Sequence, residues 1–142
     1  MEYNSNFRTD LAKSIEAEDY TINKLKPMYP LVHRIEGNHK EYDIIIPEVD
    51  ETIEVKRDLR TKETGNVYIE YESRNKLSGI ETTTADWWFI YYEMDLSKCV
   101  CIRTEELKSL ISEINPRKVP GGDKNTSWGY LIKLKDIVKW RY

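Results

Sequence analysis

Apolar and polar positions alternate with a period of two through the middle of the chain and with a helical period toward its two ends. From Phe7 to about Lys26 the residues Phe7, Leu11, Ile15, Ile22 and Leu25 fall near one face, which predicts a helix ended by Pro27 and Pro30. "LVHRIEG" predicts a strand running into a turn at Gly37–Asn38. "EYDIII", "ETIEVKRD", "VYIEYES", "WFIYYEM", "KCVCIR" and "WGYLIKL" predict further strands. "TTTADWW" reads as a capped helical turn, and "TEELKSLISEI" as a helix with Thr104 as its N-cap and Leu107, Leu110, Ile111 and Ile114 inward. "NPRKVPGGDKNTS" reads as a loop, and "KDIVKWRY" as a short C-terminal helix. The expected class is α/β: a central mixed sheet flanked by helices, as a single domain over residues 1–142.

Three charged residues interrupt this pattern. Asp43, Glu54 and Lys56 sit inside strands whose neighbours are Ile and Val. If Pro47–Glu48–Val49–Asp50 is the turn, paired residues have numbers with a constant sum. Ile44 then faces Ile53, Tyr42 faces Val55, and Asp43 faces Glu54, with Cβ atoms of opposed residues ~5 Å apart. Alternation puts Lys56 on the Glu54 face, opposite the apolar Tyr42, Ile44, Ile53 and Val55. Opposed carboxylates destabilise a ladder unless something lies between them, and a divalent cation with oxygen ligands would do so. A lysine beside them can orient a water or offset charge building on a phosphate. The first helix adds a fourth group. At about 100° per residue, Glu18 falls about 20° from Phe7, on the apolar stripe, whereas Glu16 points about 180° away. A carboxylate on a buried stripe needs a partner, and the pocket of the other two could supply one.

An acidic residue on the first helix, an Asp on one strand and Glu-x-Lys on the next resemble the PD-(D/E)XK nuclease superfamily, of restriction-endonuclease-like fold. Here these are Glu18, Asp43 in "YDIII" and Glu54–Val55–Lys56 in "IEVKRD", with Tyr42 where the motif's name has Pro. The likeness covers about residues 10 to 100, and the remainder in outline. The wider stretch from Val55 to Trp88 is also similar to small nucleases of phages and mobile elements, including resolvase-like ones. The resemblance implies Asp43 and Glu54 as metal ligands, the Val55 carbonyl as a third, Lys56 as the catalytic lysine and Glu18 as a further acidic group. It also implies Mg²⁺ or Mn²⁺ as cofactor and DNA as substrate.

Other residues are candidates around this centre. Tyr68, Glu70 and Glu72 share one strand face; Glu70, the central one, is placed beside the metal pocket if its strand neighbours Glu54–Lys56. Arg57, Arg60 and Lys62 follow the catalytic strand and Arg74 and Lys76 the next, and with Thr82–Thr84 they could hold phosphates. A helix start near Thr84 would add backbone N–H groups. His39 precedes the Asp43 strand and reads as a turn residue. Trp87, Trp88, Phe89, Tyr91 and Tyr92 read as packing rather than as a base-stacking platform. Gly121–Gly122 lacks the Lys-Ser/Thr of a phosphate loop, and no serine triad order is visible.

Bulk composition trims the picture. The net charge of −3 carries no global polyanion signal, so a nucleic-acid partner would be held by a local basic patch or a metal. Two cysteines, Cys99 and Cys101, cannot by themselves make a four-ligand zinc site and read as reduced thiols of a cytoplasmic protein. No apolar run of membrane length occurs, and the N-terminus lacks the pattern of a signal peptide. The expected function is a metal-dependent deoxyribonuclease, endonucleolytic and structure-selective in the resolvase manner. A two-fold pair of sites on a homodimer would suit a domain this small. The alternatives are a catalytically silent nucleic-acid- or protein-binding module on the same fold, and an RNase.

Overall fold

The computed structural model describes residues 2–36, 42–122 and 125–138, with the side chains of residues 2–10 and 138 outside that description. Strands do not form one central sheet. They divide between two, so the mixed α/β class holds while the single-sheet arrangement does not. The first sheet has the order β1-β2-β3-β6-β7, from His33–Arg34, Ile44–Ile46, Glu51–Arg57, Trp87–Tyr91 and Cys99–Arg103. Its pairs are antiparallel except β3 with β6, which run parallel. The second sheet has the order β5-β4-β9-β8, from Lys76–Leu77, Asn66–Ser73, Ser127–Lys133 and Arg117–Gly121, and is antiparallel throughout.

Helix α1 (Glu2–Leu25) covers one face of the first sheet. Ala17 packs there with Val32, Ile44, Ile46, Ile53, Val55, Tyr91 and Leu96. The opposite face, carrying Trp88, Ile90, Val100 and Ile102, packs on Val67, Ile69 and Ile132 of the second sheet. Helices α3 (Thr104–Ile114) and α4 (Leu134–Val138) close that second core with Leu107, Leu110 and Ile137. A further single helical turn, α2 (Thr61–Thr64), links β3 to β4.

Several local expectations are corrected. Among the described side chains of α1 the buried ones are Ala17, Glu18 and Thr21, while Leu11 and Ile15 are 50% and 40% exposed, and it is Ala17, Ile22 and Leu25 that pack on the first sheet's core. Thr104 does not cap α3 with its hydroxyl, which donates to the Ala85 carbonyl at 2.6 Å; Ile114, at the end of that helix, is exposed. The stretch read as a loop contains β8, an edge strand, where Pro120 is tolerated because one side of its backbone needs no ladder partner. No helix begins at Thr84. A 3-10 turn at Gly79–Glu81 comes first, and the chain then extends into β6 because Asp86 Oδ2 accepts the backbone N–H of Thr52 at 2.8 Å.

Candidate functional site

The β2–β3 hairpin has the register its turn dictates. Pro47–Val49 form a 3-10 turn closed by Asp50 in left-handed conformation, and Ile44, Ile45 and Ile46 pair with Ile53, Thr52 and Glu51. β2 begins only at Ile44, so β3 continues past it with one edge uncovered by that strand. Asp43 closes this notch. Its N–H donates to Ile53 O at 2.9 Å, and its Oδ2 accepts the Val55 N–H at 2.8 Å. The N–H and C=O of a strand residue point to the same edge, so the Val55 carbonyl is directed to the Asp43 side.

Glu54 and Lys56 alternate with the buried Ile53 and Val55, and their side chains lie on the opposite face, 3.3 Å apart. Glu54 is 15% exposed and Lys56 is 46% exposed. Across the parallel ladder Glu54 pairs with Trp88, and the Lys56 ammonium stands 5.6 Å from the centre of the Trp88 ring. Burial pushes the Glu54 carboxyl up to about 7; Lys56 opposes the shift, and the neighbouring Asp43 charge and hydrogen bond add to it. A carboxylate desolvated in this way gains, near neutrality, from taking up a proton or a cation.

Asp43, Glu54, Val55, Lys56 and Glu18 line one cleft of about 420 Å³, together with Lys13, Ser14, Arg57 and Leu59. Glu18, 7% exposed, is held by Arg34 of β1, whose Nε donates to Oε1 at 2.6 Å; another Arg34 nitrogen pairs with Asp19. Glu18 thus borders the cleft with one oxygen already engaged. Among the described residues, no three His, Cys, Asp or Glu side chains converge as a ready-made cage. The oxygen set that fits Mg²⁺ or Mn²⁺ is the two carboxylates plus the Val55 carbonyl, and hard oxygen donors with room for waters suit either ion.

The remaining candidates separate. β4 does not neighbour β3, yet Glu70 reaches the site from the second sheet. It lines a hollow of about 140 Å³ with Glu54, Lys56, Gly79, Thr82, Thr83 and Trp88, and accepts the Ser78 hydroxyl at 2.9 Å. Arg57 is committed elsewhere: its guanidinium, 7% exposed, bonds Lys13 O, Glu16 and Met94 O, pinning α1 to β3. Arg60 is exposed and lines a third, larger hollow. Lys62 pairs with Glu93. Arg74 and Lys76, at the β4–β5 turn, and Thr84 are exposed and line none of these three hollows. His39 lies outside the described residues.

Sequence reasoning did not find Lys13, Ser14, Arg34 or Trp88. Lys13 and Ser14 precede Glu18 by about one helical turn, which was the available signal. Arg34 carries none, since its partner lies on another element. Comparison of the chain with protein-family models, with curated proteins and with solved structures gives no match. Among the described residues no helix is long and apolar enough to cross a membrane.

Proposed function

We propose that this chain is a divalent-metal-dependent nuclease that hydrolyses DNA phosphodiesters at the Asp43–Glu54–Lys56 cleft. The observation that carries the reading is one cleft lined by Asp43, Glu54 and Lys56, in which Asp43 accepts the Val55 N–H at 2.8 Å and Lys56 stands 3.3 Å from Glu54. Asp43, Glu54 and the Val55 carbonyl would hold Mg²⁺ or Mn²⁺, which when bound would supply Lewis acidity toward a phosphate oxygen and a water. Asp43 also fixes the strand edge, since the oxygen that accepts the Val55 N–H holds that peptide in place. Lys56 is exposed enough to meet substrate, and its ammonium would orient the attacking water and offset charge on the phosphate. Lys13, which lines the same cleft, would add a second positive charge toward a phosphate.

Labelled duplex, single-stranded, branched and RNA substrates, digested in Mg²⁺, Mn²⁺ and EDTA, test the proposal. Metal-dependent DNA cleavage is expected, lost by about 10³-fold or more in Asp43→Ala and Lys56→Ala, with Mn²⁺ binding retained in Lys56→Ala alone. Cleavage that survives Asp43→Ala, or that occurs on RNA only, would refute it.

A further inference from the structure

The acid pair leaves a larger hollow unexplained. A groove of about 620 Å³ lies between the two sheets, lined among others by Lys56, Arg60, Tyr68, Trp88, Pro120 and Gly121. Its size falls in the ~300–1,000 Å³ range that small organic groups fill. Lys56 lines both this groove and the acidic cleft, so one begins where the other ends.

Tyr68 gives the groove its character. Its ring is laid across β9 and β8 rather than standing off the sheet. A Cβ on Gly129 would stand 2.5 Å from the ring, and one on Gly121 would stand 2.7 Å from it. The ring thus lies close over the α-carbons of both glycines, and Tyr68 lines the groove. The Tyr68 hydroxyl, 2.8 Å from Ser127 Oγ, fixes the ring at its far end, and the Tyr68 N–H donates to Asp58 Oδ2 at 2.9 Å. Two glycines thus hold the aromatic ring in place, in a groove also lined by the apolar Val119, Pro120 and Leu131. Charged residues that line the groove are Lys56, Arg57 and Arg60 as cations, and Asp58, Glu63 and Glu70 as acids. An aromatic ring in a groove that Lys56 and Arg60 also line suits a nucleobase and its phosphates, and stacking on it is tolerant of sequence.

Resting on the nuclease reading, we propose that this groove receives the base of an unpaired nucleotide, stacked on Tyr68, beside the phosphodiester held in the cleft. A base on Tyr68 has left its helical stack. The substrate class is therefore DNA with an unpaired nucleotide at the cut site, such as a single strand, flap or branch, in preference to continuous duplex.

The test uses the whole chain and oligonucleotides carrying 2-aminopurine at paired or unpaired positions. Binding is followed by its fluorescence in Ca²⁺, and cleavage in Mg²⁺ or Mn²⁺. Unpaired 2-aminopurine is expected to be quenched on binding. Tyr68→Leu should lose that quenching and about 5- to 150-fold in kcat/KM on unpaired substrates, lowering the ratio of unpaired to duplex cleavage. Tyr68→Phe, which keeps the ring over the glycines, should retain both, and Gly121→Ala, which displaces the ring, should behave like Tyr68→Leu. Thermal melts establish that each variant is folded. Cleavage of every DNA form without dependence on Tyr68 overturns the groove and leaves the nuclease reading standing. Tyr68-dependent quenching without cleavage overturns the nuclease reading and keeps the groove. Absence of binding to any DNA form, or binding of RNA alone, overturns the groove as stated.

Discussion

Replacing Glu54 by Gln removes a carboxyl that the fold holds protonated well above its ordinary range, and the effect on stability has a definite sign. Burial raises this group from 4.5 to about 7, net of the attraction from Lys56, and the side chain is only 15% exposed. Between those values the folded chain binds more protons than the unfolded one, so stability falls as pH rises through the window. The full penalty is present above about pH 7. A shift of this size corresponds to about 3 kcal/mol at 1.36 kcal/mol per unit. Gln keeps the shape and hydrogen-bonding capacity but has no charge to desolvate. In EDTA, Glu54→Gln should therefore melt roughly 5–10 °C above the parent chain at pH 8, with the gap closing toward pH 4.5. Thermal melts at half-unit pH steps read the curve. Saturating Mg²⁺ should narrow the gap at pH 8 by stabilising the parent chain alone, by about 2.7 kcal/mol at a hundredfold excess over Kd. A difference that does not change with pH, or a parent chain more stable than Glu54→Gln at pH 8 without metal, would refute the reasoning.

Further outcomes follow from other parts of the structure. Mn²⁺ affinity should weaken about tenfold per pH unit below about 7, because a proton competes for Glu54, and should level off above; calorimetric titration from pH 5.5 to 8 reads this, and a flat profile would contradict it. Arg34→Met leaves Glu18, 7% exposed, without its closest partner and should destabilise the fold by about 2–3 kcal/mol in urea, less than a fully buried pair because Arg34 is 27% exposed. Gly79→Ala should lower stability by about 1–3 kcal/mol: Gly79 has φ +53°, and a Cβ there collides with the Glu70 carbonyl. An unchanged melting temperature would count against that placement of Glu70.

What could be read from the chain alone followed locality. The hairpin register was legible because a four-residue polar turn sits between two apolar runs, and a slip by one residue would turn Ile44 and Ile53 outward. Glu18 was legible as a buried acid from helical phase alone, although the stripe it belongs to is shorter than its apolar residues suggested. The division into two sheets was not legible. β4 follows β3 in sequence, yet pairs with β9 from the far end of the chain, and no local pattern encodes that choice. Arg57 misled for a related reason: its basic character suits phosphate, while its carbonyl and carboxylate partners come from three distant positions. β8 was hidden by Pro120 and Gly121, residues that mark loops on average but that suit an edge strand crossed by an aromatic ring.

The parallel pairing of β3 with β6 has a consequence for timing during synthesis. The chain must leave the strand bearing Glu54 and Lys56, lay down β4 and β5 of the other sheet, and only then return beside it as β6. Trp88, against which Lys56 stands, thus leaves the ribosome well after the lysine does, and the glycines beneath Tyr68 emerge later still. Contacts this distant in sequence make assembly slow. A nascent chain therefore holds its acids long before it holds Trp88 and the glycines that complete their surroundings.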